Sequence, residues 1–192
     1  MEKRVYVVRH CEAEGQPSEA HLTEMGFRQA AALAQFFIEE KVERIISSPF
    51  LRAVQSIEPT ATRKGVQMET DDRLAERILS TQVLDDWLVK LEATFADLEL
   101  KFAGGESSRE AMNRIVSVVE EILEGEAVDT LIVTHGNLMS LLLHHYQPSF
   151  GFEEWKNLGN PDVFLLKFRE DHVTIEHIWR FKENLNGFRS TD

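Results

Sequence analysis

One cysteine, Cys11, stands in a chain of 192 residues. No intrachain disulfide is possible, which fits a reducing compartment. Long apolar runs are missing too. None approaches the ~18 residues of a membrane-spanning helix. The N-terminus has basic residues, then only the four apolar residues Val5 to Val8 before Arg9. That is too short for the apolar stretch of a secretory signal. Basic residues are in the minority, and the formal net charge is −12. Such a balance argues against general nucleic-acid or anionic-membrane binding, but it leaves room for a small basic pocket that holds an anion. No internal repeat or low-complexity segment is present. The expectation is a cytoplasmic, soluble protein with no nucleic-acid or membrane partner. Nothing in the sequence signals an oligomeric state.

What remains is an ordinary globular composition, 43% hydrophobic and 28% charged. The length predicts one domain over residues 1–192. Short apolar runs of β-forming residues alternate with helix-like periodicity. Val5 to Val8, Arg44 to Ile46 and Thr130 to Thr134 are the candidate buried strands. Thr23 caps an expected helix reaching about Glu40. A second is expected from Phe50 to about Arg63, limited or kinked by Pro59. A third starts at the capping box Ser107-Ser108-Arg109-Glu110 and ends at Gly125. A fourth runs from Leu138 to about Tyr146. Val163 to Phe168 and Val173 to Trp179 read as a late antiparallel hairpin. Residues 70–102 read as a helical excursion over one end of the domain, a lid-like insertion of about 70–106. The predicted fold class is α/β: a three-layer α/β/α sandwich with a mostly parallel central sheet and that excursion over the active site.

Two candidate strands end alike, one in Arg9-His10 and the other in His135-Gly136. Ligands of open α/β sheets sit at the carboxyl ends of the strands. Parallel, adjacent strands would bring both histidines to one edge. Ser47-Ser48-Pro49 closes a third strand, and Arg52 follows one turn into the next helix. Two arginines and two histidines together point to a bound anion, because the guanidinium fork matches phosphate oxygens. A neutral histidine can attack phosphorus and form a covalent intermediate. Gly136 lets helix N–H groups approach the same anion. No metal-ligand spacing is present: His144 and His145 are adjacent and diverge by about 100° on a helix. Asp71-Asp72 and Asp85-Asp86 read as solvated. Gly104-Gly105 reads as a turn. The cysteine-phosphatase loop is absent, since five residues after Cys11 lead to Pro17 rather than Arg. No cofactor is called for.

These segments resemble the histidine phosphatase superfamily, the phosphoglycerate mutase-like family, over nearly the whole chain. Val8-Arg9-His10-Cys11-Glu12 is similar to its Arg-His-Gly-Glu signature. Leu22-Thr23 with Gly26 and Gln29-Ala30, Ser47-Ser48-Pro49 with Arg52-Ala53, Leu74 with Glu76, Gly104-Gly105-Glu106-Ser107 with Arg114, and Val133-Thr134-His135-Gly136 follow in the family's order.

The resemblance implies the roles. His10 matches the nucleophile that becomes phosphohistidine. Arg9, Arg52 and His135 match the groups holding the phosphoryl oxygens. Glu76 matches the general acid, later the base for water. Gln16 stands where many relatives carry a phosphate-touching Asn. The implied activity is metal-independent phosphomonoester hydrolysis on a small phosphorylated substrate. The alternatives are a phosphoglycerate mutase-type transfer and a non-catalytic relative that binds phospho-ligands. Departures from the pattern are Cys11 for Gly, Ala13 for Thr or Ser, and Arg77-Ile78-Leu79-Ser80-Thr81 where the family often has Gly-x-Trp-Glu-Gly. Packing is the expected role of Cys11. Asn137 after His135-Gly136 separates the chain from the acid-phosphatase branch, which has Asp there.

Overall fold

The computed structural model describes residues 2–170 and 172–179. Residues 180–192, which the one-domain reading includes, and Asp171 in the hairpin link lie outside the described residues. Among the described residues, six strands form one sheet: β1 (Lys3–Arg9), β2 (Arg44–Ser47), β3 (Met68–Thr70), β4 (Asp129–Thr134), β5 (Asp162–Arg169) and β6 (His172–His177). Their spatial order is β3-β2-β4-β1-β5-β6. The first four are mutually parallel, while β5 and β6 add the antiparallel edge.

Alternation along β1 divides the core. Val5 and Val7 face one side, where they join Ile132, α4 (Ser108–Glu124) and α5 (Gly136–Tyr146). Tyr6 and Val8 face the other side with Leu131, Val133, α1 (Glu24–Phe36) and α2 (Leu51–Lys64). Successive strand residues point to opposite faces, so an apolar run covered on both sides needs a helix layer on each. The result is the expected three-layer α/β/α sandwich.

The helix caps follow the sequence. Thr23 Oγ1 accepts the Gly26 N–H at 3.0 Å. Ser107 and Glu110 complete the capping box that starts α4. α5 begins at Gly136, two residues earlier than Leu138. One boundary differs more, and Pro59 does not limit its helix as expected. α1 stops at Phe36 rather than near Glu40, because Lys64 Nζ draws the Ile38 and Glu40 carbonyls (2.8 and 2.5 Å) into a turn. α2 runs through Pro59 to Lys64 without ending. Its buried stripe of Ala53, Ser56, Ile57, Thr60 and Ala61 is held in place by tertiary packing, which outweighs the missing N–H.

The excursion is less helical than its composition indicates. It holds a short 3₁₀ turn (Asp72–Leu74) and α3 (Trp87–Ala96), with irregular chain between and after. Ionic and backbone hydrogen bonds shape it instead of an apolar stripe; α3 buries only Leu91 and Thr94. Residues 78–81 run against 103–106, with Thr81 N–H on Ala103 O (3.0 Å) and Glu106 N–H on Ile78 O (2.8 Å). Gly104-Gly105 makes this approach possible. Gly104 has φ +68°, and a Cβ at Gly105 would fall 2.1 Å from the Leu79 carbonyl oxygen. A five-residue helix, α6 (Phe152–Lys156), and the strand β3 carried no clear periodic signal.

Candidate active site

Register decides what meets at the sheet edge. Arg9 pairs with Thr134 across β1 and β4, and Ser47 with Val133 across β2 and β4. The residues that follow, His10, His135 and Ser48, therefore emerge side by side. The His10 N–H donates to Thr134 O (3.0 Å) and the Ser48 N–H to Val133 O (2.9 Å). The two imidazole centroids are 5.0 Å apart.

His10 Nδ1 lies 2.6 Å from the Cys11 carbonyl oxygen. A carbonyl only accepts, so Nδ1 carries the proton and Nε2 keeps the lone pair. That lone pair faces the Arg52 Nε–H at 3.3 Å. Burial pushes the His10 pKa down to about 3, with help from Arg52 and Arg9 and against the Cys11 hydrogen bond. The ring is thus neutral at physiological pH, as a nucleophile requires. His135 is fully buried. Burial first, then His10 and the nearby arginines, hold its pKa well below the ordinary value. Its Nε2 shares a 2.7 Å hydrogen bond with Ser48 Oγ, and the Phe50 ring packs edge-on at 4.9 Å.

Both arginines are aimed by backbone carbonyls. Arg52 Nη1 donates to Gln16 O (3.0 Å) and Pro17 O (2.8 Å), and its guanidinium lies 4.9 Å over Phe50. Gln16 meets the site through that carbonyl; the residue is exposed. Arg9 Nη1 donates to Leu158 O (3.0 Å) and Gly159 O (3.1 Å). Gly136 sits against the same guanidinium: a Cβ there would lie 3.0 Å from Arg9 Cζ and Nε. Burial lowers the pKa of both arginines, with Glu76 opposing the shift. Arginine stays charged regardless.

Glu76 reaches the same edge by a different route. Thr134 Oγ1 donates to Leu74 O (2.8 Å), and Arg114 Nη1 donates to Arg73 O (2.6 Å) and Ala75 O (2.8 Å). Arg114 is itself held by both Glu106 carboxylate oxygens (2.8 and 3.0 Å). The Glu76 carboxylate then accepts the N–H groups of Asn137 (3.1 Å), Leu138 (3.0 Å) and Arg77 (2.8 Å). His135, the N-cap of α5, makes no side-chain cap bond, so Glu76 satisfies the helix N-terminus in its place. Three backbone donors fix where this side chain sits. Arg77 anchors the next residue: its buried guanidinium donates to Glu106 O (3.2 and 3.0 Å), Thr94 Oγ1 (2.8 Å) and Ser108 Oγ (3.1 Å).

All five residues read as catalytic from the sequence, His10, Glu76, His135, Arg9 and Arg52, come together at one edge. Four buried polar atoms here have no hydrogen-bond partner among the described residues: Arg9 Nε, His135 Nδ1 and both ends of the Asn137 amide. Among the described residues, no group of three or more His, Cys, Asp or Glu side chains is arranged to hold a metal ion. Two contacts were not read from the sequence. Ser48 Oγ orients His135, and Asn160 Nδ2 donates to the His10 carbonyl (2.8 Å). The Ser47-Ser48-Pro49 motif was a signal for the first. No local pattern marks the second, which spans 150 residues of sequence.

Comparison with known proteins places these residues in context. The family model described as the histidine phosphatase superfamily (branch 1) matches residues 5–179. A protein of Hydrogenobacter thermophilus, provisionally named phosphoserine phosphatase 2, is 29% identical over 157 residues, covering 73% of this chain and 77% of its own. A Yersinia pestis protein, provisionally named phosphoglycerate mutase GpmB, is 32% identical over 157 residues, 73% of each chain. The solved structure of mycobacterial glucosyl-3-phosphoglycerate phosphatase superimposes with a TM-score of 0.75 at 22% identity, over 92% of this chain and 98% of that one, a likeness of fold.

Proposed function

The chain belongs to the histidine phosphatase superfamily, and on that footing we propose that it is a metal-independent phosphomonoester hydrolase working through phospho-His10. Membership alone supports phosphoryl hydrolysis or transfer on a small phosphorylated substrate. The observation that carries the finer reading is the His10 tautomer: Nδ1–H on the Cys11 carbonyl and an Nε2 lone pair facing Arg52.

The steps follow from the chain's own groups. A phosphomonoester places its phosphoryl oxygens among Arg9, Arg52, His135 and the N-terminus of α5 at Gly136. Arg52 Nε–H turns from His10 Nε2 to a phosphoryl oxygen, which frees the lone pair. Nε2 attacks phosphorus, the bond to the ester oxygen breaks, and Glu76, carrying a proton, gives it to that oxygen. The alcohol leaves. Water then attacks the phosphohistidine while Glu76 takes its proton. The N–P bond breaks, the electron pair returns to Nε2, and inorganic phosphate departs. Fixed positive charge and aimed donors supply most of the rate, as phosphoryl transfer requires.

The provisional names of the relatives favour keeping one second reading, a mutase-type transfer, in which the phosphoryl group returns to another hydroxyl. The test is turnover of p-nitrophenyl phosphate with excess chelator, with His10→Ala in parallel and 3-phosphoglycerate as a second substrate. Hydrolysis by the wild type alone, unaffected by chelator, is the expected outcome. Activity in a clean His10→Ala preparation, or loss of activity on chelation, would overturn the proposal. Formation of 2-phosphoglycerate would establish the mutase.

A further inference from the structure

The residues leading into β5 have no part in the mechanism above, yet they stand on its two central groups. β5 runs antiparallel to β1 with Asp162 opposite Arg9. The chain therefore enters β5 from the edge where His10 stands. Leu158 and Gly159 carbonyls hold Arg9 Nη1 at 3.0 and 3.1 Å, and Asn160 Nδ2 holds the His10 carbonyl oxygen at 2.8 Å. Asp162, almost fully buried, fixes this run from below. Its carboxylate accepts the N–H groups of Gly159 and Val163, both at 3.0 Å, and pairs with His177 Nε2 of β6 at 2.5 Å.

The peptide unit between His10 and Cys11 is the point of leverage. Its oxygen is held by Asn160, and its N–H donates to Ser56 Oγ at 2.8 Å. Both ends of one peptide plane are thus clamped by side chains from distant elements. The next carbonyl along, that of Cys11, takes the imidazole Nδ1–H. Rotation of the clamped plane would displace that carbonyl and release the ring.

We propose that Asn160 is a positioning residue for the nucleophile, and that residues 158–162 form a strap setting His10 and Arg9 relative to each other. This rests on the assignment of His10 as nucleophile. The strap explains how an antiparallel edge strand, remote in sequence from both histidine motifs, contributes to the site. Positioning matters because small misplacements of a reacting group cost large factors in rate.

The experiment combines rapid-quench phosphoenzyme formation with p-nitrophenyl phosphate, steady-state kinetics and ¹⁵N NMR of the histidine rings. It uses the wild type, His10→Ala, Asn160→Ala and Asn160→Asp, with melting checked for each. The wild type should show His10 with Nδ1 protonated and Nε2 bare at pH 7. Asn160→Ala should slow phosphoenzyme formation about tenfold or more while KM stays within about twofold, as expected for a group that aims rather than binds. Its His10 signals should move towards a mixture of tautomers. Asn160→Asp keeps the shape but sets an acceptor against a carbonyl, and should be at least as slow. The opposite tautomer in the wild type, a folded Asn160 variant with wild-type rate and unchanged His10 signals, or an effect on KM alone would each overturn the strap. Turnover by His10→Ala would instead overturn the nucleophile assignment beneath it.

Discussion

Three single residues carry most of what separates this site from a generic anion pocket. Cys11 is fully buried in one core cluster with Val8. Burial pushes its thiol up to about 12, so it packs and does not react as a thiolate. Arg77 is a buried guanidinium that ties the segment after Glu76 to α3 and α4. Glu76 itself is held by three N–H donors. Glu76→Gln should therefore reduce turnover of alkyl phosphates by about 100-fold or more, within the range for general acid catalysis, and that of p-nitrophenyl phosphate by far less. The good leaving group needs no proton. Steady-state rates on the two substrates measure this, and equal losses would count against the acid role. Gln presents an amide nitrogen to one of the N–H donors, so melting should be followed in parallel to separate placement from chemistry.

Elements were readable where their signals are local. The caps at Thr23 and Ser107 act within one turn, and the buried strands announce themselves as unbroken apolar runs. α3 falls inside the stretch read as helical, but its bounds were not readable, and β3 and α6 were not readable at all, because each is held by contacts with distant chain. Glycine 26 shows how an element depends on its neighbour. A Cβ there would stand 2.0 Å from the Glu12 carbonyl oxygen. The same stretch is bonded to α1 through Glu12 N–H on Gln29 Oε1 (2.8 Å) and Thr23 N–H on Glu12 O (3.1 Å). Neither side can retreat freely. Gly26→Ala should destabilise the protein by about 1–3 kcal/mol, the usual cost of overpacking. At this chain length, that lowers the melting temperature by roughly 2–12 °C. A calorimetric scan unchanged from wild type would show that the α1 contact yields more easily than its geometry indicates.

At the scale of the whole molecule, the site draws on stability that the two cores supply. His10 and His135 are buried neutral, with pKa values depressed by burial. The unfolded chain, with histidine near 6.5, binds protons that the folded chain refuses. Folding stability is then fully present above about pH 6.5 and falls as the pH drops towards the depressed values. Each histidine contributes at most about 1.4 kcal/mol per pH unit in that window. Denaturant unfolding at pH 7.5 and 5.5 should show the loss. His10→Gln should show a smaller one, by up to about 1.4 kcal/mol. The variant comparison isolates the histidine from the acidic surface, whose repulsion weakens over the same range. A wild type and variant with identical pH dependence would contradict the buried neutral imidazole.

The sequence by itself determined the alternation of strands and helices, the two Arg/His and His/Gly strand ends, and the family they resemble. Apolar periodicity and capping are properties of neighbouring residues, so they need no fold to be read. Tertiary structure decided the rest. Parallel pairing of β1 with β4 in the register Arg9 to Thr134 is what sets two histidines 5.0 Å apart. Arg114 and the α5 N-terminus bring Glu76, which the family resemblance singled out, to the edge where the histidines stand. Asn160 meets His10 only because β5 enters antiparallel to β1. Hydrogen bonds between residues far apart in the chain leave no periodic trace, and those are the bonds that assemble this site.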